Sequence, residues 1–403
     1  MRNKLFASML VAVFLLTACG KTALNNKATN VTPQVETTAT LSALPSSISS
    51  TPVIENCATG IVSYPPSLGL AGVLVLDDYK SFDSFLLDAA TGTRIQVTRE
   101  NDRIDEFATS PDRNTLAYIL RNVQKQKPQL IISDSRNDKK MVIALDQDGP
   151  GQLSWLNNEQ LLLDTGQSLL VLNPYTNQQQ SYTFDDFPRF DRNNVRNRQV
   201  EFDPGLHRAV YKNIDGQVSL IDLDTGQILA EVNDHVARPA VAAWTNDSKQ
   251  VAVVGTSIVG PNDWDTGDNL FSIDPTGRIQ QLTHLAEYYG KGLTISAAGL
   301  GWSPNSRYLA FWLGTPQDPA HRQLAVLDTN TSEVTKSCIL SSFESSLFYD
   351  LPAPIWSPNG KEIMVENRYS KDENHVVILD ISKNTVFEII DNMRPTGWML
   401  PSK

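Results

Sequence analysis

Trp302-Ser303-Pro304-Asn305, then Tyr308-Leu309-Ala310-Phe311-Trp312, then Asp328-Thr329-Asn330-Thr331-Ser332, is the stretch that decides the fold. A tight Ser-Pro-Asn turn leads into a short apolar run, and an acidic residue later ends a second run in another turn. The same punctuation returns along the chain. The turns Ser110-Pro111-Asp112, Asp203-Pro204-Gly205, Thr245-Asn246-Asp247 and Ser357-Pro358-Asn359 match the first anchor. Asp88 to Gly92, Asp134 to Asp138, Asn173 to Asn177, Asp222 to Gly226, Asp274 to Gly277 and Asp380 to Asn384 match the second. Seven copies at a period of about 45 residues, built only from short strands, predict a β-propeller.

The apolar runs are short, rich in β-branched residues and bounded by turn formers. Examples are Glu362-Ile363-Met364-Val365 and Val376-Val377-Ile378-Leu379. They read as strands. With the strand that carries the tryptophan, each copy supplies four. The expected fold is all-β: a seven-bladed propeller of four-stranded antiparallel blades. The first copy lacks its opening strand and starts at Ala71-Gly72-Val73-Leu74. Trp398, in Pro395-Thr396-Gly397-Trp398, occupies the place of Trp302 and Trp356. The C-terminal strand is therefore expected to complete the first blade and remove two free edges. Trp155, Trp244, Trp302, Trp356 and Trp398 share one repeat position, which reads as packing between blades.

The N-terminus predicts location. Arg2 and Lys4 precede an apolar run from Leu5 to Leu16, too short to span a bilayer and suited to a signal-peptide core. Leu16-Thr17-Ala18-Cys19 resembles a bacterial lipobox, which implies a lipid on Cys19, a membrane anchor and an extracytoplasmic location. Residues 1–18 are read as the lipoprotein signal peptide, 19–62 as a disordered Thr/Ser-rich stalk and 63–403 as the propeller. Residues 21–56 contain no Gly and no aromatic residue, and cannot bury enough apolar area to offset their ordering entropy. Cys57 and Cys338 are an even pair in an export context, open to a disulfide or to two buried thiols.

The Trp-Ser-Pro-Asn, Leu-Ala-Phe and Asp-x-x-Thr-Gly elements resemble the WD-40-like repeats of the TolB family. Similar repeats form the propellers that precede prolyl oligopeptidases. The resemblance covers about residues 69–400 and implies the propeller fold. The chain departs from TolB in having seven copies instead of six, with a Thr/Ser stretch in place of a helical N-terminal domain. The Gly-x-Ser-x-Gly turn of the peptidases is absent.

A net charge of −11 disfavours nucleic acid and anionic lipid headgroups as partners. No sequence pattern calls for a cofactor. His207, His235, His284, His321 and His375 fall in different repeats, so a catalytic cluster would have to be gathered at the axis. Asp263, Asp265 and Asp268 offer carboxylates at a density that suits calcium, yet lack the EF-hand spacing. The loop from Phe184 to Arg198 mixes aromatics with Arg189 and Arg192, a composition common at binding hot spots.

In blades ordered a-b-c-d, the a–b and c–d turns share one end and the b–c and d–a connections the other. The longest connections (Arg121–Pro128, Phe184–Arg198, Gly255–Asp268, His284–Ala298, Gly314–Arg322, Leu340–Pro354 and Arg368–Asn374) all belong to the second end. Loops on a rigid scaffold carry binding residues. Arg189, Arg192, Trp264, Tyr288, Tyr289, Phe348 and Tyr349 are the expected partner-binding residues. The expectation is a monomeric, lipid-anchored, non-catalytic scaffold of the cell envelope that binds a protein or envelope polymer. The rival is a lactonase-like or lyase-like propeller enzyme with its site at the axis.

Overall fold

The protein is described here by a computed structural model of residues 51–401, except 58–60, 64–68, 79–80, 82, 99–101, 123–126, 135–138, 146–151, 166, 192–199, 235–239, 296–298, 343–350 and 371–372. All of these belong to the second of two units, Ser46–Lys403. That unit is a seven-bladed β-propeller of antiparallel sheets. Blade 2 is Asp102–Thr109, Thr115–Asn122, Gln129–Asp134 and Lys139–Ala144, paired in chain order. Blades 3, 4 and 5 open with Gln152–Trp155, Val200–Phe202 and Ala242–Trp244 and repeat the meander. Blades 6 and 7 open with Gly301–Trp302 and Ile355–Trp356.

Blade 1 closes the ring as expected. The C-terminal strand Met393–Met399 pairs antiparallel with Val73–Asp78, with Trp398 opposite Leu74. Ser84–Asp88 and Arg94–Gln96 complete the sheet. The fit at this seam is close. Gly72 stands at φ +116°, where a Cβ would lie 2.5 Å from the Met399 carbonyl and 2.6 Å from the Trp398 indole nitrogen. Only glycine meets both demands.

Each blade is buried on both faces, which explains why its strands read as unbroken apolar runs instead of alternating ones. Alternation is present but points to two different neighbours. In blade 6, Leu309, Phe311 and Leu313 pack toward blade 5 with Val254 and Leu270, whereas Ala310 and Trp312 pack toward blade 7 with Ile363 and Val365. The same division recurs around the ring, giving one buried apolar cluster at each of the seven blade interfaces.

The tryptophans of the opening strands join the innermost strands of neighbouring blades. Trp155 Nε1 donates to the Ala108 carbonyl at 3.1 Å, and Trp244 Nε1 to Glu201 at 3.1 Å. Trp302 donates to Ala243 at 2.9 Å, and Trp356 to Gly301 at 2.7 Å. Trp398 instead bonds Ala71, within its own blade, at 3.2 Å. The a–b turns also share one geometry. Ser110, Ser303 and Ser357 accept an amide hydrogen bond on Oγ from the residue five further on, at 3.0, 2.9 and 3.0 Å.

The folded part reaches upstream of residue 63. Val53–Glu55 adds in parallel to Glu333–Ser342, outermost in blade 6, and Ile61–Ser63 adds in parallel to Thr385–Asp391 of blade 7. Between these two strands Cys57 is bonded to Cys338, with Cα atoms 4.7 Å apart. Lys336 Nζ meets Glu55 Oε1 at 2.7 Å, and Asn384 Nδ2 donates to the Asn56 side chain at 2.7 Å. Three-residue strands leave no periodicity to read, so a Thr/Ser-rich composition conceals them.

Trp398 is fully buried in the cluster that joins blades 7 and 1. Trp398→Ala is expected to destabilise the protein by about 3–5 kcal/mol, the usual range for truncating a large buried aromatic. Urea melts of both proteins measure it, and an unchanged midpoint would contradict the closure.

Candidate functional site

Several of the long connections turn out to be strand, not loop. Gly314–Arg322 is the tip of a hairpin made by Tyr308–Thr315 and Asp318–Asp328. Gly255–Asp268 is largely the extended hairpin of Val251–Ile258 and Thr266–Ile273. The crossover after blade 5 carries a one-turn helix, Leu285–Tyr289, and a short strand, Thr294–Ile295, that pairs with blade 6. The b–c and d–a ends of the blades still share one face, because every blade is an antiparallel meander.

On that face, the hairpin tip and helix of blade 5 carry the most exposed aromatics among the described residues. Trp264 is 70% exposed and Tyr288 59%, joined by Ile258 at 59%. Tyr289 is half-buried and edge-on to Tyr288, with ring centroids 4.8 Å apart. Gly267 makes the tight packing possible: a Cβ there would lie 3.0 Å from both the Ala286 Cβ and the Gly290 carbonyl. An ion pair of 2.8 Å between Lys291 and Asp265 fastens the hairpin to the helix. Hydrogen bonds from Lys291 and Asn262 hold the Asp265 carboxyl below its usual range.

The other expected residues divide. Arg189 stands at φ 57°, bonds the Asp215 carboxylate, and donates to Gln217 at 3.2 Å. It braces the loop against blade 4. Phe184, Phe187 and Phe190 of the same loop stack on one another and on Tyr211 and Phe202 inside the interface of blades 3 and 4. Arg192, Phe348 and Tyr349 lie outside the described residues. The three aspartates considered for calcium do not converge. Asp265 is engaged as above, Asp268 is buried and accepts the Ile295 amide at 2.7 Å, and no group of three potential ligands occurs among the described residues.

The histidines are likewise dispersed. His207 faces Asp224 at 3.3 Å, His284 faces Glu287 at 3.6 Å and His321 faces Asp318 at 2.8 Å, while His375 contacts Glu388. These pairs sit in four different blades or crossovers, and His235 lies outside the described residues.

The axis holds two features that a search of motifs passes over. A cavity of about 240 Å³ crosses the ring, lined by the ends of the innermost strands of blades 1, 2, 5, 6 and 7, among them Trp244, Trp302, Trp356, Thr396 and Arg113. It lies toward the short-turn face. A second hollow, about 480 Å³, lies on that face between blades 2 and 3, beside Asp112, Asn158 and Tyr175. The expectation had placed binding among the long loops, whereas both hollows lie among the short turns. The other feature is Glu106, on the innermost strand of blade 2. Asp105 and Glu106 form a β-bulge, with the register passing from Ile104–Leu120 to Phe107–Tyr118. Burial pushes the Glu106 carboxyl up to about 7; Arg394 opposes the shift, and Asp77 and Asp105 add to it.

The fold is shared with solved structures that differ widely in sequence. TolB from Acinetobacter baumannii is similar at 16% identity over 83% of this chain and 68% of that one, with a TM-score of 0.42. An oligogalacturonate lyase in complex with manganese is similar at 10% identity over 79% of this chain and 85% of that one, with a TM-score of 0.50. The β-propeller domain of Cps50 (Swd1) from Myceliophteria thermophila is similar at 10% identity over 77% and 97%, with a TM-score of 0.47. No family model and no curated protein matches the sequence. Identities this low speak to the fold alone, and the β-propeller is read from the seven sheets of this chain.

Glu106 gives a pH prediction. Its native pKa lies above the ordinary 4.5, so the native state holds more protons than the unfolded one between pH 4.5 and about 7. Stability therefore falls as pH rises through that window. Glu106→Gln should remove roughly 2 kcal/mol of the loss between about pH 5 and about pH 8, allowing for partial solvent screening. Urea melts at both pH values measure it; an unaltered pH dependence would show the carboxyl to be solvated.

Proposed function

We propose that the protein is a lipid-anchored binding protein of the cell envelope, which uses the long-loop face of its propeller to hold a protein or envelope polymer and does no chemistry. The observation that carries the reading is the pair Trp264 and Tyr288. Both are large aromatics held in the open on rigid elements, the hairpin tip and the helix fastened by Lys291 and Asp265. Exposed aromatics on a pre-organised scaffold lose little entropy on binding and are frequent hot spots. The lipid anchor rests on the Leu16-Thr17-Ala18-Cys19 lipobox. A monomeric body, tethered by the stretch that follows Cys19, suits a scaffold that must reach a partner.

One observation favours the rival, an axial enzyme of lactonase-like or lyase-like type. Glu106 titrates near neutrality, where a general acid or base works best. Such a reaction needs a second group to stabilise developing charge or accept the other proton. The dispersed histidines do not provide it.

Crosslinking in intact cells, followed by capture of the chain, tests the binding reading. Trp264→Ala and Tyr288→Ala should each weaken the captured partner by about 2 kcal/mol or more, roughly 30-fold, while Asn305→Ala on the short-turn face should not. Loss only in the short-turn variant would overturn the choice of face. Turnover of a lactone or glycoside, abolished by Glu106→Gln, would replace binding with catalysis.

The anchor has its own test. Cys19→Ala should shift the protein from the membrane fraction to the detergent-free wash. Equal retention of mutant and natural protein would remove lipidation from the reading.

A further inference from the structure

Five a–b turns of the ring place a non-helical, left-handed residue at the same point. These are Arg113, Leu206, Ser248, Ser306 and Gly360, with φ between 56° and 72°. In four of them the residue is uncharged. Blade 2 alone puts a cation there, although left-handed backbone disfavours any side chain other than glycine's. The departure is local, since the rest of the turn keeps the shared pattern: Arg113 N donates to the Ser110 carbonyl at 2.8 Å as Ser306 N does to Ser303.

The side chain of Arg113 lines the axial cavity. Its guanidinium donates to Thr109 Oγ1 and to the Trp398 carbonyl, both at 3.4 Å from a single nitrogen, Nη1. Five N–H donors in a planar fork thus meet two long contacts. No carboxylate lines the cavity, and none is paired with Arg113 among the described residues. Burial draws its pKa below the ordinary arginine value, the mark of a charge short of water and of a counter-ion. Half-buried Trp244 and Trp302 also line the cavity, together with Asn246, Gly301 and Gly397. A Cβ on Gly397 would lie 2.5 Å from the Thr109 methyl, so the ring tolerates nothing larger beside the arginine.

We infer that the axial cavity is a binding site for a monoanionic carboxylate with an apolar or aromatic body, its carboxylate held by Arg113. Charge balance selects the class. One half-buried cation neutralises one negative charge, whereas a phosphate dianion would bring a second charge for which the lining holds no other cation. The guanidinium fork matches the two oxygens of a carboxylate. The indoles suit a flat or apolar body. The carboxylate can belong to a free organic acid or to the C-terminus of a peptide, and both present the same group. The site is on the opposite end of the blades from Trp264 and Tyr288, so it stands or falls separately from the proposed binding face.

The test is calorimetric titration of the full-length protein with benzoate and with N-acetyl-phenylalanine, which stand for the free acid and the chain terminus. The amides of both compounds and inorganic phosphate are the controls. Saturable heat is expected from at least one carboxylate and not from its amide, and the tighter of the two identifies the source. Arg113→Ser should weaken that binding at least tenfold. The variant is expected to fold, because Ser248 and Ser306 already occupy the equivalent position, and Arg113→Gly follows the precedent of Gly360. The inference is overturned if neither carboxylate binds or if an amide binds as well as its acid. It is equally overturned if phosphate binds more tightly than both or if the variants bind like the natural protein.

Discussion

The contact between innermost strands of neighbouring blades is what the rest of the ring depends on. Separate sheets share no hydrogen-bond ladder, so something else must fix their spacing at the axis. In this protein an indole N–H crosses from one innermost strand to a carbonyl of the preceding one at four interfaces. A buried hydrogen bond of this kind contributes only about 1 kcal/mol net. Its larger effect is geometric, because an unpaired indole or carbonyl in that position would be costly. Glycine completes the arrangement. A Cβ on Gly301 would stand 2.3 Å from the Pro354 carbonyl, so the strands of blades 6 and 7 approach as closely as backbones can.

Where tryptophan is missing, other groups take over. Blade 4 has Phe202 in the equivalent place, and there the Asn157 side chain of blade 3 donates to the Pro204 carbonyl at 2.7 Å. Blade 2 has Thr109, and there Arg113 makes the link to blade 1: its carbonyl accepts the Leu400 amide at 2.9 Å, and its guanidinium donates to the Trp398 carbonyl at 3.4 Å. Turn-to-turn bonds therefore substitute for indole bonds on the same face. That face is short because its turns are structural members of the ring, and a residue inserted there would break a contact between blades. The opposite face also carries contacts between blades, among them Ser342 Oγ to the Arg368 carbonyl at 2.7 Å, but they lie beside the longer hairpins and not in minimal turns. Its hairpins are free to lengthen, as Asp318–Asp328 and Glu362–Ser370 do.

The architecture was legible in the sequence because turns with strict backbone requirements recur at a fixed interval. Ser303 and Asp328 each satisfy nearby amides with a side-chain oxygen, and few residue types do so. Closure was legible for the same reason, since Trp398 repeats a position already defined by its counterparts. The candidate site was less legible. Phe184, Phe187 and Phe190 sit in a connection yet serve the core, because a propeller buries side chains between blades wherever a crossover touches two of them. Exposure of Trp264 and Tyr288 follows from how the hairpin tip and helix meet, which composition does not specify. Glu106 carries no motif; its environment comes from Asp77 and Arg394 of a blade built by opposite ends of the chain. Arg113 had a signal, visible only when the fourth residues of the a–b turns are set side by side.

Both ends of the described chain are spent on one sector of the ring. The C-terminal strand supplies the innermost member of blade 1, and the segment from Val53 to Ser63 supplies outermost members to blades 6 and 7. The sector holds the seam, the pairing inside blade 1 of the C-terminal strand with Val73–Asp78. A covalent crossover joins each blade to the next, including blade 7 to Met393–Met399, and the ring is closed by the non-covalent pairing of that strand with Val73–Asp78 inside blade 1. The upstream segment acts on the neighbouring joint, bridging blades 6 and 7 at their rim while Trp356 and Gly301 join them at the axis. The Cys57–Cys338 bond encloses a separation of 281 residues, nearly the whole ring. A crosslink of that span acts mainly on the unfolded chain, by limiting how far its ends can separate. The seam is thus held in two ways that do not depend on one another: native packing around Trp398 resists its opening, and the covalent tie keeps opened ends within reach of closing again.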